Sequence, residues 1–341
     1  MSQRPIEFWH FGRPDIADIE AQAERCEVLG FDGLTLTDSQ NLSADTYVAL
    51  TLAARATSRL LIGPGVTNPL TRHAAVTAGA IASVQAASDG RAVLGIGRGD
   101  SSLFNIGHKP VSPAVFECYL ADVQTYLRGE SFPVGDYSSQ LRWLSGAGLA
   151  KVPVDVGATG PKVIAIGARL AERVSFSLGA DPDRIAWGIA QVRNAVGPEG
   201  VMPSLGAYVN VCVHDDLARA ADLVRPGVGI FAHFTSMPGA SREHVKPGDD
   251  AVYDRLGDYD KARHGRGDAA HAQALPVDFI QRFAVVGPPE DCIAKLATLW
   301  RLGIERMVVI GPRADHFGTE AEEAQERLAR EVFPALRAAA G

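Results

Sequence analysis

Long hydrophobic runs are missing from this chain of 341 residues: no stretch approaches the ~18 apolar positions that a membrane-spanning helix needs. The opening Met1-Ser-Gln-Arg-Pro-Ile-Glu7 also lacks the apolar core of a secretory signal, so a cytoplasmic protein without a membrane partner is expected. Cysteine is scarce. Cys26, Cys118, Cys212 and Cys292 stand far apart with no C-x-x-C pair, which argues against a zinc ribbon or a disulfide framework and leads us to expect buried, inert thiols. Basic charge is in deficit, 33 Lys and Arg against 40 Asp and Glu, so no nucleic-acid partner is expected. H-E-x-x-H spacing is absent, and His73, His108 and the later histidines read as non-metal. No G-x-S-x-G elbow or kinase-type set appears either, which weakens acyl and phosphoryl transfer.

What is present is a repeating alternation of short apolar runs and helical patterns. Runs at 6–11, 33–37, 60–66 and 91–97 are each followed by a helical stretch, at 16–29, 45–56, 74–87 and 113–127. A polar, Gly-rich insertion at about 129–150 interrupts the series. It resumes with 152–156 and a helix over 161–171, 173–178 and a helix over 182–196, and 205–213 with a helix from near Asp216. The last unit is 306–310 with a helix over 320–338. Eight such units fit one α/β domain over 1–341, a (β/α)8 TIM barrel with insertions, better than a doubly wound sheet. The second insertion, a long loop over about 226–275, carries His233, His244, His264 and His271.

Barrel chemistry sits at the C-terminal ends of strands, so the candidates are His10, Asp38, Asn68, Asp100, Thr159, Ser177 and His214. The most informative segments are Leu60 to His73, with Val66-Thr-Asn-Pro-Leu-Thr-Arg-His73, and Arg91-Ala-Val-Leu-Gly-Ile-Gly-Arg-Gly-Asp100. Each is an apolar run that stops abruptly in Gly, Asn or Asp. The second superficially matches a dinucleotide fingerprint, but its spacing is G-x-G-x-G and no helix is expected directly after it. Gly157-Ala-Thr-Gly-Pro-Lys162 ends a strand and opens a helix, which suits an anion at the helix N-terminus; a plain βα turn with a solvated lysine is the simpler reading. Asp38 and Asp100 could flank one pocket as an acid and base pair, or serve as hydrogen-bond acceptors and caps. Hydride chemistry on a bound cofactor asks the protein for positioning, a proton donor and exclusion of water, and these residues meet that demand.

Those three segments resemble the luciferase-like superfamily, and more closely its deazaflavin branch, the 5,10-methylenetetrahydromethanopterin reductase-like oxidoreductases that use coenzyme F420. The resemblance implies a (β/α)8 barrel, a homodimer, and a small organic substrate exchanging a hydride with the deazaflavin. It implies a non-prolyl cis peptide at Gly65-Val66 behind the ring, with Asp38 and Asn68 at the headgroup and Arg98 and Gly99 along the tricycle. Thr159, Gly160, Lys162 and Val163 would hold the phosphate, and Asp100, with Asp38, falls to catalysis. His10, His108 and Ser177 fall to the substrate pocket. Relatives that oxidise a sugar phosphate carry a histidine where Ser39 stands and a lysine in the Leu178-Gly-Ala180 stretch, so that substrate is disfavoured. The alternatives are an FMN-dependent luciferase-like monooxygenase and a non-catalytic flavin- or deazaflavin-binding protein.

Overall fold

The computed structural model describes residues 5–237 and 239–340. Its strands in chain order are β1 (Glu7–Gly12), β2 (Gly33–Leu36), β3 (Leu61–Pro64), β4 (Leu94–Ile96), β5 (Phe132–Val134), β6 (Tyr137–Ser139), β7 (Val154–Ala158), β8 (Arg173–Phe176), β9 (Ser204–Val213), β10 (Val285–Gly287) and β11 (Arg306–Ile310). β1 to β4, β7 to β9 and β11 alternate with helices as the eight parallel strands of a (β/α)8 TIM barrel, the expected fold. Every residue of β2 and β11 is buried, as parallel strands covered on both faces require.

The chain forms two compact units. One comprises residues 11–157 and 166–173. Within it β2 pairs in parallel with β3, Leu36 opposite Pro64, and β4 pairs with β7, Ile96 opposite Val156. Single bridges, Ile62 to Ala92 and Thr67 to Ile96, join the β3 segment to the β4 segment. Its helices start on local signals. Asp45 accepts from the Tyr47 and Val48 amides at 2.9 and 3.1 Å to open Thr46–Ala56, and Ser112 with Pro113 opens Pro113–Leu127.

Among the described residues, the other unit comprises 5–10, 158–165, 174–237 and 239–340. There β11 pairs in parallel with β1, His10 opposite Val309, and with β9, Ile310 opposite Asn210; β10 lies along the end of β9. Asp181 and Pro182 open the helix Pro182–Val196, and Gly303, at φ 114°, ends Pro289–Leu302 in the left-handed conformation.

Several expectations need correction. The segment from Pro226 is not the start of a loop: the helix Leu217–Ser236 runs through Pro226, because Leu223, Val224, Val228, Phe231 and Ala232 are buried on both sides of it. Their packing outweighs the ~3 kcal/mol that an interior proline costs a helix. The remainder of that insertion carries the helices Asp250–Leu256 and Ala270–Gln273. The 129–150 insertion folds back as the β5–β6 hairpin, with Gly135 at φ 58° in its turn. A short helix, Ser101–Phe104, does follow the glycine-rich strand, but it is a single turn. Cys26, Cys212 and Cys292 are buried, and burial pushes their thiols up to about 12, whereas Cys118 is exposed.

Candidate functional site

The first of the two units gathers the ends of β2, β3 and β4 around Asp38. This carboxylate is 4% exposed and accepts three hydrogen bonds: from Thr67 Oγ1 at 2.6 Å, from an Arg72 guanidinium nitrogen at 2.6 Å, and from Gln40 Nε2 at 2.8 Å. Arg72 reaches on to Asp45, the helix cap, at 3.0 Å, and its guanidinium lies 4.7 Å from the Tyr47 ring centroid. The Arg72 carbonyl accepts from Tyr119 Oη at 2.8 Å. One cation thus joins the end of β2, the cap of the next helix and the loop after β3. Arg72, Thr67 and Tyr47 had no role in the sequence reading, because a link spanning 34 residues leaves no local pattern.

Asn68 is fully buried, and its Oδ1 accepts from the Leu70 and Thr71 amides at 3.0 and 3.1 Å. Those two donors fix the amide orientation, since a flip would set N–H against N–H. Nδ2 is then a buried donor with no partner among the described residues. Such a group costs free energy unless something accepts from it.

Glycines let the surrounding backbone close in. A Cβ on Gly65 would fall 2.1 Å from Thr35 Oγ1, and one on Gly95 would fall 2.0 Å from the Pro64 carbonyl oxygen. Val66 fills the room that Gly97 and Gly157 leave, with hypothetical Cβ contacts of 3.0 and 3.1 Å, and Gly99, at φ 84°, lies against Asn68. The Gly65-Val66 peptide bond is cis. Of the residues singled out from sequence, the fold therefore brings Asp38, Val66, Asn68 and Gly99 together. Arg98 is half-buried and turned to the loop, donating from Nε to the Val111 carbonyl at 2.6 Å; burial pulls it below the ordinary guanidinium range. Asp100 begins the single-turn helix through its carbonyl, which accepts from the Leu103 amide at 2.9 Å. His108 is exposed on the following loop.

The other unit carries the remaining candidates. Thr159 and Gly160 link the end of β7 to the helix Pro161–Leu170, with Lys162 exposed and Val163 buried. The first turn of a helix presents amides that have no intrahelical acceptor, which is the chemistry of an anion cradle. A Cβ on Gly160 would lie 3.0 Å from the Gly239 carbonyl oxygen, so the turn is closely approached by the 239–240 segment. Ser177 is buried, and its amide donates to the Ala158 carbonyl at 2.9 Å. His10 Nδ1 lies 3.2 Å from Gln325 Nε2, and desolvation lowers its pKa to about 4. His214 binds locally: its Nδ1 accepts from the Asp216 amide at 2.9 Å. Among the described residues, no three His, Cys, Asp or Glu side chains stand together as a metal-holding group.

Comparison with known proteins places this geometry. The 5,10-methylenetetrahydromethanopterin reductase of Methanolobus tindarius is 27% identical over 330 residues, covering 93% of this chain and 96% of that protein. The solved coenzyme F420 dependent tetrahydromethanopterin reductase from Methanopyrus kandleri superposes with a TM-score of 0.74 at 22% identity, covering 98% of this chain and 100% of that one. An F420-dependent secondary alcohol dehydrogenase, solved with an F420-acetone adduct, gives a TM-score of 0.76 at 17% identity over 98% and 99% of the two chains. These two structures share the fold. The model of the luciferase-like monooxygenase family matches residues 4–306, and this chain belongs to that family.

Proposed function

We propose that the protein is an F420-dependent oxidoreductase, moving a hydride between the deazaflavin and a small organic substrate. The similarity to F420-dependent reductases along nearly the whole chain supports the cofactor class. The observation that carries the site is Asn68 Nδ2, a buried donor in fixed orientation that lacks an acceptor among the described residues. It stands among glycines that let the surrounding backbone close in, and beside an Asp38 held by Thr67 and Arg72. Bound F420 supplies a two-electron hydride carrier.

The chain's own residues divide the remaining work. Asn68 donates to an acceptor on the headgroup, and Gly65, Val66, Arg98 and Gly99 line the ring. Asp38 has all three of its hydrogen bonds inside the protein, so its part is to hold the headgroup side of the site in shape rather than to exchange a proton. Thr159, Gly160, Lys162 and Val163 take the phosphate at the helix N-terminus. Asp100 moves the proton that accompanies the hydride, and His10, His108 and Ser177 shape the substrate's surroundings. A single domain, a homodimer and a cytoplasmic location belong to the same proposal, resting on the family resemblance and on four cysteines that are free thiols.

Turnover tests the reading. F420 absorbance followed with imines, enones, ketones and alcohols should reveal a substrate, and Asp100→Asn should lower kcat at least tenfold with cofactor Kd nearly unchanged. Equal losses in both would make Asp100 a binding residue. Binding without turnover across that set would favour a non-catalytic carrier.

A further inference from the structure

Arg184 lies near the start of the helix Pro182–Val196, which follows the C-terminal end of β8. It is 2% exposed. Its Nη1 donates to Tyr253 Oη at 2.9 Å, and the guanidinium carbon stands 5.5 Å from the Tyr253 ring centroid. Its Nε and Nη2 are buried and have no hydrogen-bond partner among the described residues. A lysine or histidine so placed could shed its proton, but a guanidinium cannot, so the charge must be met where it is.

The orphaned pair has a shape. Nε–H and Nη2–H point from the same edge of the planar guanidinium, the edge that meets a carboxylate through two parallel hydrogen bonds. Two buried carboxylates of neighbouring elements have partners of their own. Asp181 caps its own helix by accepting from the Asp183 amide at 2.9 Å, and Asp249 holds Arg282 through both of its oxygens. Tyr253 is itself fixed: its carbonyl accepts from Ser236 Oγ at 2.7 Å, and its ring meets Phe279 edge-on at 5.4 Å. The one bond that Arg184 makes therefore holds the guanidinium in place and leaves its bidentate edge buried and unpaired.

We propose that the Nε/Nη2 edge of Arg184 is a binding site for the carboxylate of a small ligand. A planar carboxylate matches that edge with two parallel bonds. The proposal rests on Arg184 and Tyr253 and not on the deazaflavin reading.

The test uses full-length protein with ¹⁵N-labelled arginine. Formate and acetate, at ionic strength matched with chloride, should move one Nε–H resonance saturably, and that resonance should be missing from Arg184→Lys. The thermal midpoint of the wild type should rise with formate, and Arg184→Lys should need at least tenfold more formate for the same rise. If Arg184→Lys does not fold, Tyr253→Phe keeps the guanidinium and identifies the resonance by shifting it. No response to formate or acetate, an equal response in Arg184→Lys, or a response to inorganic phosphate alone would overturn the proposal.

Discussion

Asp38 and Arg184 are both nearly fully buried charges, 4% and 2% exposed, and the protein treats them in opposite ways. Asp38 accepts from Thr67, Arg72 and Gln40, whereas Arg184 donates once, to Tyr253. A buried charge with every bond made is a brace that fixes its neighbours. One with an unpaired edge keeps the capacity to donate to a further acceptor. Beside the brace, Asn68 repeats the second pattern in neutral form: one end of the amide is tied to the Leu70 and Thr71 amides and the other is left open. Recognition in this molecule is read from which polar groups are left half-finished.

The largest effect expected from breaking the comparison is Arg72→Met. It leaves Asp38 buried without its cation, and urea unfolding should show a loss of about 3 kcal/mol, partly recovered by adding Asp38→Asn. A loss below about 1 kcal/mol would mean that the ion pair does not brace the loop. His10 shows a third treatment of burial, neutralisation, with its pKa lowered from 6.5 to about 4. Above pH 6.5 the residue is neutral in both folded and unfolded chains. As pH falls from 6.5 toward 4 the unfolded chain takes up the proton first, so stability drops, by on the order of 2 to 3 kcal/mol at pH 4. His10→Asn should remove that part of the acid sensitivity between pH 7.5 and 4.5. Equal acid losses in the two proteins would contradict it. Smallest is Arg184→Met without added carboxylate, expected within about 1 kcal/mol of wild type, because the substitution gives up one hydrogen bond and removes an incompletely met charge.

The barrel itself was legible because its signals are local. Ala74–Ala87, Pro113–Leu127 and Pro182–Val196 have the predicted bounds, set by caps such as Ser112 and Asp181 and by proline in the first turn. Pro226 misled the reading, since the burial that carries the helix past it comes from distant packing. The hairpin around Gly135 was invisible because its strands are three residues long and largely exposed, with no alternation to read. Asp38 and Asn68 were singled out by their place after strands, and Gly99 by the family resemblance. Arg72 and Arg184 were not, because a charged residue's partners are set across 34 and 69 positions of chain. Sequence pattern locates the ends of strands; it does not say which polar groups are satisfied there.

The most direct test of the central claim is a binding titration of F420 and of FMN on wild type and Asn68→Ala. The account predicts saturable F420 binding that is tighter than FMN binding, weakened about tenfold in Asn68→Ala, in keeping with one lost hydrogen bond of about 1.4 kcal/mol. Tight FMN binding with no F420 binding, or F420 affinity unchanged in Asn68→Ala, would contradict it.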